Sequence, residues 1–195
     1  MSHRAGDRIL RILKGPASVR LLPYILVAVI AFGVPKPATG GFSLWLVEKR
    51  LELKYGVPNL SPEELKKRLS SEEAATYLLF DTRPKEEFEV SHIQSAIRID
   101  PHLSAEAFMR VHGQRIKGKH LLFYCSVGDR SSAVTKRVQG PVLKAGAKSL
   151  WNLRGGIFRW YNEGNPVVNE KGDTNDIHPF NDQWGSLIER RKPAR

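Results

Sequence analysis

Short apolar runs recur along the middle of this chain at helix-sized intervals, and that alternation limits the folds open to it more than any other feature. Tyr77 to Phe80, Ala96 to Ile99, Leu121 to Tyr124 and Ser149 to Leu153 each read as a short strand. Ser61-Pro62-Glu63-Glu64 places a capping serine, a proline at the first helical position and a glutamate at the third, which predicts a helix through Leu69. A helical turn is expected over Pro84 to Phe88, helices over Ala105 to Val111 and Ser131 to Ala145, and a last helix over Gly156 to Tyr161. Gly140-Pro141 should break or kink the third of these, because proline lacks the N–H that a helix interior needs. Strands this short and this apolar are buried on both faces, so the pattern predicts an α/β fold with a parallel sheet covered by helices on each side. Ligands in such sheets sit at the carboxyl ends of strands, where Asp81 and Cys125 both fall.

Cys125 is the only cysteine among 195 residues. It ends an apolar run, is followed by the glycine-bearing turn Ser126 to Asp129, then by Arg130 and by Ser131-Ser132, which can open a helix. A thiol in that place faces unpaired backbone N–H groups and the positive end of a helix dipole. A free thiol has a pKa near 8.5, and lowering it by about two units needs roughly 2.7 kcal/mol in favour of the thiolate. The dipole supplies about 0.3–1 kcal/mol, so loop N–H groups that bond the sulfur, at roughly 1.5–3 kcal/mol each, must supply the rest. Gly128 lets consecutive amides turn inward to form such a nest. The alternative is a buried cysteine acting only as a small hydrophobe.

A net charge of +11 suggests nucleic acid until it is located. Residues 1–40 carry six Lys/Arg and one Asp, residues 186–195 carry four and one, and the 145 residues between carry twenty-one and eighteen. The body is nearly balanced and lacks the clustered basic, aromatic-interleaved face that a nucleic-acid module needs, so that class is set aside. One cysteine excludes an internal disulfide, and six scattered histidines give no metal-ligand spacing. No cofactor is expected.

The basic stretch from Arg4 to Arg20 precedes fourteen uncharged residues, Leu21 to Val34. As a helix these rise about 21 Å, short of the roughly 30 Å hydrocarbon core, unless Arg20 snorkels and Ala17 to Val19 extend the span. The expectation is a retained membrane anchor through residues 21–34 with the domain on the outer, periplasmic or equivalent, face; the alternative is export followed by cleavage near Gly40. The organisation expected is a basic N-terminus with its anchor or signal over 1–40, an amphipathic connecting helix over 41–56, a folded domain over 57–168 and a C-terminal extension with a basic tail over 169–195. The connecting helix, with Leu44, Val47 and Leu51 on one stripe and Trp45 beside them, is expected either on the membrane surface or on its own domain.

Three ordered motifs resemble the rhodanese-like domain family. They are Asp81-Thr82-Arg83 with Glu87-Phe88 and His92-Ile93; Cys125-Ser126-Val127-Gly128-Asp129-Arg130-Ser131; and Asn152-Leu153-Arg154-Gly155-Gly156-Ile157 with Trp160, Gly164 and Pro166-Val167. The resemblance covers roughly residues 57–168. It implies a three-layer α/β/α domain with a five-stranded parallel sheet. It also implies a sulfurtransferase in which Cys125 takes a sulfane sulfur from thiosulfate or another small donor, holds it as a persulfide and passes it to a thiol, a protein thiol or a cyanide-like acceptor. This chain has Ser91 where the family usually has glycine before the histidine, and Gln94-Ser95 where it has Pro-Gly, so the turn there is expected to be built differently.

On this reading Cys125 is the nucleophile and the backbone of Ser126, Val127, Gly128, Asp129, Arg130 and Ser131 is the cradle. Arg130 is expected either to bind an anionic donor or to pair with Asp81. Asp81 and Arg83, with Glu87, are expected to form a supporting ion-pair network, His92 to pack, and Trp151 and Trp160 to lie in the core. Asp129 opposes thiolate formation if it points inward. Phosphatases and arsenate reductases of this fold resemble the loop but place five residues between cysteine and arginine, where this chain has four. A non-catalytic module docking a partner, through Ile177 to Ile188 for instance, is the other rival.

Overall fold

The computed structural model describes residues 39–189. The basic N-terminus, the apolar segment 21–34 and most of the basic tail, on which the anchor and signal expectations fall, lie outside those residues. Among the described residues no helix is long and apolar enough to cross a membrane.

The first helix, α1, runs from Thr39 to Tyr55, and the short strand β1 (Asn59–Leu60) follows. The helix α2 (Pro62–Leu69) starts with the capping box that its sequence predicts: the Glu64 backbone N–H donates to Ser61 Oγ, and Ser61 N–H donates to the Glu64 carboxylate. Next come β2 (Tyr77–Asp81), α3 (Lys85–Val90), β3 (Ile97–Arg98), α4 (Ala105–His112), β4 (His120–Tyr124) and α5 (Asp129–Lys144). The chain continues through β5 (Ser149–Leu153) and α6 (Gly156–Asn162), a hairpin of β6 (Val167–Asn169) and β7 (Gly172–Thr174), and the single turn α7 (Asp182–Gly185).

Five parallel strands form one sheet in the order β1-β5-β4-β2-β3, so β4 lies in the middle. Alternation of side chains along β4 divides the core into two layers. Leu122 and Tyr124 face a cluster with Leu60, Leu65, Leu79, Leu153, Ile157 and Phe158, while Leu121 and Phe123 face Phe80, Phe108, Val134, Val138 and Val142. Helices therefore cover both sides, as the apolar runs require. Each of these buried side chains contributes up to about 1.5–3 kcal/mol of apolar transfer energy.

Three details depart from the sequence pattern. The helix α5 begins at Asp129 rather than Ser131 and continues through Gly140-Pro141 without a break, its end closed by the Ala145 N–H on Pro141 O at 3.0 Å. Pro141 lies within one turn of the helix end and is exposed, so it removes one ladder bond and its ring meets solvent instead of a packed neighbour. The turn at Gln94-Ser95 is made with Ser95 at φ 63°, the left-handed conformation that glycine adopts without strain. The strand β1, two residues long, joins the sheet beside β5 with no apolar run to announce it.

Candidate active site

The Cys125 loop leaves the carboxyl end of the central strand and enters the N-terminus of α5, the second-longest helix described. Gly128 turns the chain at φ 105°, and its N–H donates to Cys125 Sγ at 3.2 Å. The first N–H groups of α5, on Asp129, Arg130 and Ser131, have no carbonyl one turn earlier within the helix, which leaves them for the loop interior. Cys125 is 1% exposed, and Val127 and Ser126 are buried beside it.

The loop is held from behind by α6. The N–H groups of Ile157 and Phe158 donate to the carbonyls of Cys125 and Ser126 at 2.8 and 3.0 Å. This approach needs two successive left-handed glycines, Gly155 and Gly156, and a Cβ on Gly156 would overlap the Cys125 carbonyl oxygen. Ser131 Oγ donates to Asn152 Oδ1 at 2.6 Å, and Asn152 Nδ2 to Asn59 Oδ1 at 2.8 Å, which ties α5 to β5 and to the residue that opens β1.

Two separate ion pairs stand under and beside the loop. Asp81 and Arg83 are both fully buried, joined at 2.6 Å, with Arg83 also donating to the Ser91 carbonyl at 2.6 Å. Burial disfavours the Arg83 charge, yet Asp81 raises its pKa above the ordinary value. The guanidinium lies over the ring of Tyr124, whose hydroxyl accepts the Ile93 N–H, and burial raises that phenol well above its usual pKa. This pair braces the floor of the site and has no exposed atom.

The second pair corrects one of the two expectations for Arg130, the pairing with Asp81. Its partner is Glu87, not Asp81: Nη1 and Nη2 donate to the two carboxylate oxygens at 2.8 and 3.0 Å, and Ser126 Oγ donates to the same carboxylate at 2.8 Å. Burial pushes the Glu87 carboxyl up, but Arg130 and Ser126 outweigh it and hold its pKa below the usual range. Arg130 is likewise raised against burial by Glu87 and by the neighbouring Cys125 sulfur. The Asp81, Arg83 and Glu87 side chains thus serve two devices, one sealed and one at the mouth.

Asp129 does not enter the cradle. Its carboxylate accepts from Lys54 Nζ at 3.0 Å and Tyr55 Oη at 2.9 Å, both at the end of α1. His92 stacks on Phe88 and bridges Val168; Trp160 is buried, while Trp151 is half-buried and stacks on Tyr77 and His120. Sequence reasoning missed the ring of Phe180, whose centroid lies 5.0 Å from the Arg130 guanidinium carbon. The only signal for it was the apolar and aromatic content of Ile177 to Ile188. Among the described residues no group of three or more His, Cys, Asp or Glu stands together as a metal site.

The three-layer α/β/α domain thus offers one buried thiol between its middle strand and a helix N-terminus. The sequence profile of the rhodanese-like domain matches residues 61–163, and the chain belongs to that family. Among solved structures it is similar to a rhodanese-related protein from Thermoplasma volcanium, at 23% identity and a TM-score of 0.43 over 58% of this chain and 99% of that one. It is similar also to a thiosulfate sulfurtransferase from Pseudomonas aeruginosa, at 18% identity and a TM-score of 0.49 over 74% of this chain and 26% of that one. An As-Sb reductase from Leishmania major matches at 19% identity and a TM-score of 0.49, over 55% of this chain and 79% of that one. No curated protein matches the chain by sequence.

Proposed function

We propose that this protein is a sulfurtransferase that carries sulfane sulfur as a persulfide on Cys125. The observation that carries the reading is the sulfur itself: it ends the central strand, accepts the Gly128 N–H at 3.2 Å and faces the start of a sixteen-residue helix. The Cys125 thiolate attacks the outer sulfur of a donor, a sulfur–sulfur bond forms as the donor's own breaks, and the donor's remainder leaves with the electron pair. The persulfide keeps the amide contacts of the thiolate it replaces, since its charge lies one atom further out in the same cradle. A thiophilic acceptor then takes the outer sulfur and returns Cys125 to the thiolate. No general base is required once the thiolate exists, which agrees with Asp81 being sealed in its pair with Arg83.

Arg130 supports the loop instead of presenting a free cation, because Glu87 engages two of its nitrogens. The four-residue spacing from Cys125 to Arg130 gives a cradle suited to one sulfur atom, smaller than the ring of amides that surrounds a tetrahedral oxyanion. The domain is further proposed to be held at a membrane by residues 21–34, on the strength of a basic stretch followed by an uncharged one.

Mass spectrometry after incubation with a sulfane-sulfur donor tests the chemistry. The wild-type chain should gain one sulfur atom on the Cys125 peptide, and Cys125→Ser should gain none. Sulfur retained on the serine variant removes the assignment.

A further inference from the structure

We infer that the donor to this site is a hydropersulfide of a small thiol, R–S–SH, rather than an oxyanionic donor such as thiosulfate, and that Phe180 is a residue that sets this preference. The inference rests on the sulfurtransferase reading above and names its substrate class.

The first observation is the state of the cations that touch the loop. Arg130 gives Nη1 and Nη2 to the Glu87 carboxylate, and Nη2 also bonds Ser126 Oγ at 2.9 Å. Lys54 is held by Asp129 at 3.0 Å. Arg83 is fully buried against Asp81. Each of the three is matched by a carboxylate, so among the described residues the loop offers backbone dipoles and no unmatched positive charge.

The second observation is what covers Arg130. Phe180 lies on the guanidinium, 47% exposed, and its backbone is left-handed at φ 66°. An exposed phenylalanine in that conformation persists only where its surroundings hold it there. Here the Phe180 N–H donates to His178 Nδ1, Asn181 caps α7, and Ile177, Trp184 and Ile188 pack against the core on either side. The segment is a braced strap that presents one ring to the mouth. An incoming oxyanion thus meets a guanidinium whose edge is taken by Glu87 and whose face is taken by an aromatic ring.

The two donor classes make different demands. With thiosulfate, a thiolate must be approached by a dianion, and sulfite departs as a dianion: Cys–S⁻ plus S–SO₃²⁻ gives Cys–S–S⁻ plus SO₃²⁻. Both steps place charge where, among the described residues, no free cation stands to receive it. With a hydropersulfide, Cys–S⁻ plus R–S–SH gives Cys–S–SH plus R–S⁻. One sulfur–sulfur bond forms and one breaks, a single thiolate leaves, and the transferred sulfur then gives its proton to solvent, which leaves the same charged persulfide Cys–S–S⁻ in the cradle. No oxidant or reductant enters. The near-complete burial of Cys125 restricts the donor to a small thiol.

The test measures second-order rate constants for persulfide formation on Cys125 with cysteine hydropersulfide and with sodium thiosulfate, in the 195-residue chain and in its Phe180→Ala variant. The wild type should favour the hydropersulfide by about tenfold or more, and Phe180→Ala should move the ratio toward thiosulfate by about tenfold, the lower end of what charge focusing in a cleft provides. Circular dichroism and a melting curve establish that the variant is folded. A wild type that reacts faster with thiosulfate, or an unchanged ratio in folded Phe180→Ala, overturns the inference and leaves the sulfurtransferase reading intact. No persulfide with either donor removes both.

Discussion

At the scale of single residues, Glu87 has the widest reach of any side chain near the cysteine. It is 3% exposed, yet it stays charged because Arg130 and Ser126 together outweigh burial. One carboxylate thereby fixes the second residue of the loop and the second residue of the helix that follows it. Replacing it by glutamine keeps the shape and a hydrogen-bonding group but takes away the carboxylate partner of the Arg130 charge. Arg130 is about a quarter exposed, so the cost falls below that of breaking a wholly buried pair. Glu87→Gln should lose about 2 kcal/mol of unfolding free energy in urea titration. The pH dependence follows from the direction of the shift. Because the folded pKa lies below the unfolded one, the Glu87 contribution is complete above the ordinary carboxylate value near 4.5 and is lost as pH falls through the lower, folded value. The glutamine variant should lack that acid-side loss, and a variant that keeps the full wild-type slope would show that Glu87 is not its source.

At the scale of elements, what the sequence disclosed and what it hid have a common physical basis. Elements that bury their own apolar run, such as β2 and β4, were legible, as was α2, whose start is written in a local capping box. Elements that exist because a neighbour offers hydrogen bonds were not: β1 pairs with β5 over two residues, and the β6–β7 hairpin is built from Val167, Val168 and polar residues. The candidate site divides in the same way. The cysteine, the glycine turn and the helix start are local and could be read, whereas the partner of Arg130 depends on where α3 is laid by the fold. Asp129 shows the same limit, since only the position of α1 decides that its carboxylate bonds Lys54 and Tyr55. The junction between the loop and α6 yields a prediction at this scale. A methyl on Gly156 would overlap the Cys125 carbonyl oxygen and lie 2.5 Å from that of Ser126, at a φ of 59°. Gly164, at φ 82° with nothing within 4 Å of a built Cβ, carries the backbone strain alone. Gly164→Ala should therefore cost about 1 kcal/mol and Gly156→Ala about 3 kcal/mol or more, with loss of Cys125 labelling by donor only in the latter. Equal costs in chemical denaturation would show that the close approach of α6 does not matter.

At the scale of the described molecule, α1 is part of the fold even though it precedes the domain profile. Leu44 is buried in the same cluster as Val127, Tyr161 and Leu187. Glu48 and Glu52 pair with Arg159 and Arg154, and Leu51 is buried beside Gly128. The strap after β7 enters that cluster too, through Ile177, Trp184, Leu187 and Ile188. Both additions to the sheet converge on the face that carries the cysteine loop. Leu44→Ala should then destabilise the whole unit by about 2–4 kcal/mol and leave one cooperative transition, followed by fluorescence and circular dichroism together. An early separate transition would mean that α1 folds and unfolds by itself.

The solitary cysteine, nearly sealed and hung from the middle strand, also makes the chain its own reporter. Any thiol reagent has one place to react, and it reacts only in conformations that expose that atom. If the strap opens while the sheet stays intact, alkylation is almost independent of urea, because little surface is uncovered. If β4 must come apart, the rate climbs with urea along the slope of global unfolding. A single alkylation series therefore separates breathing at the mouth from collapse of the sheet, with no label introduced and no second site to correct for.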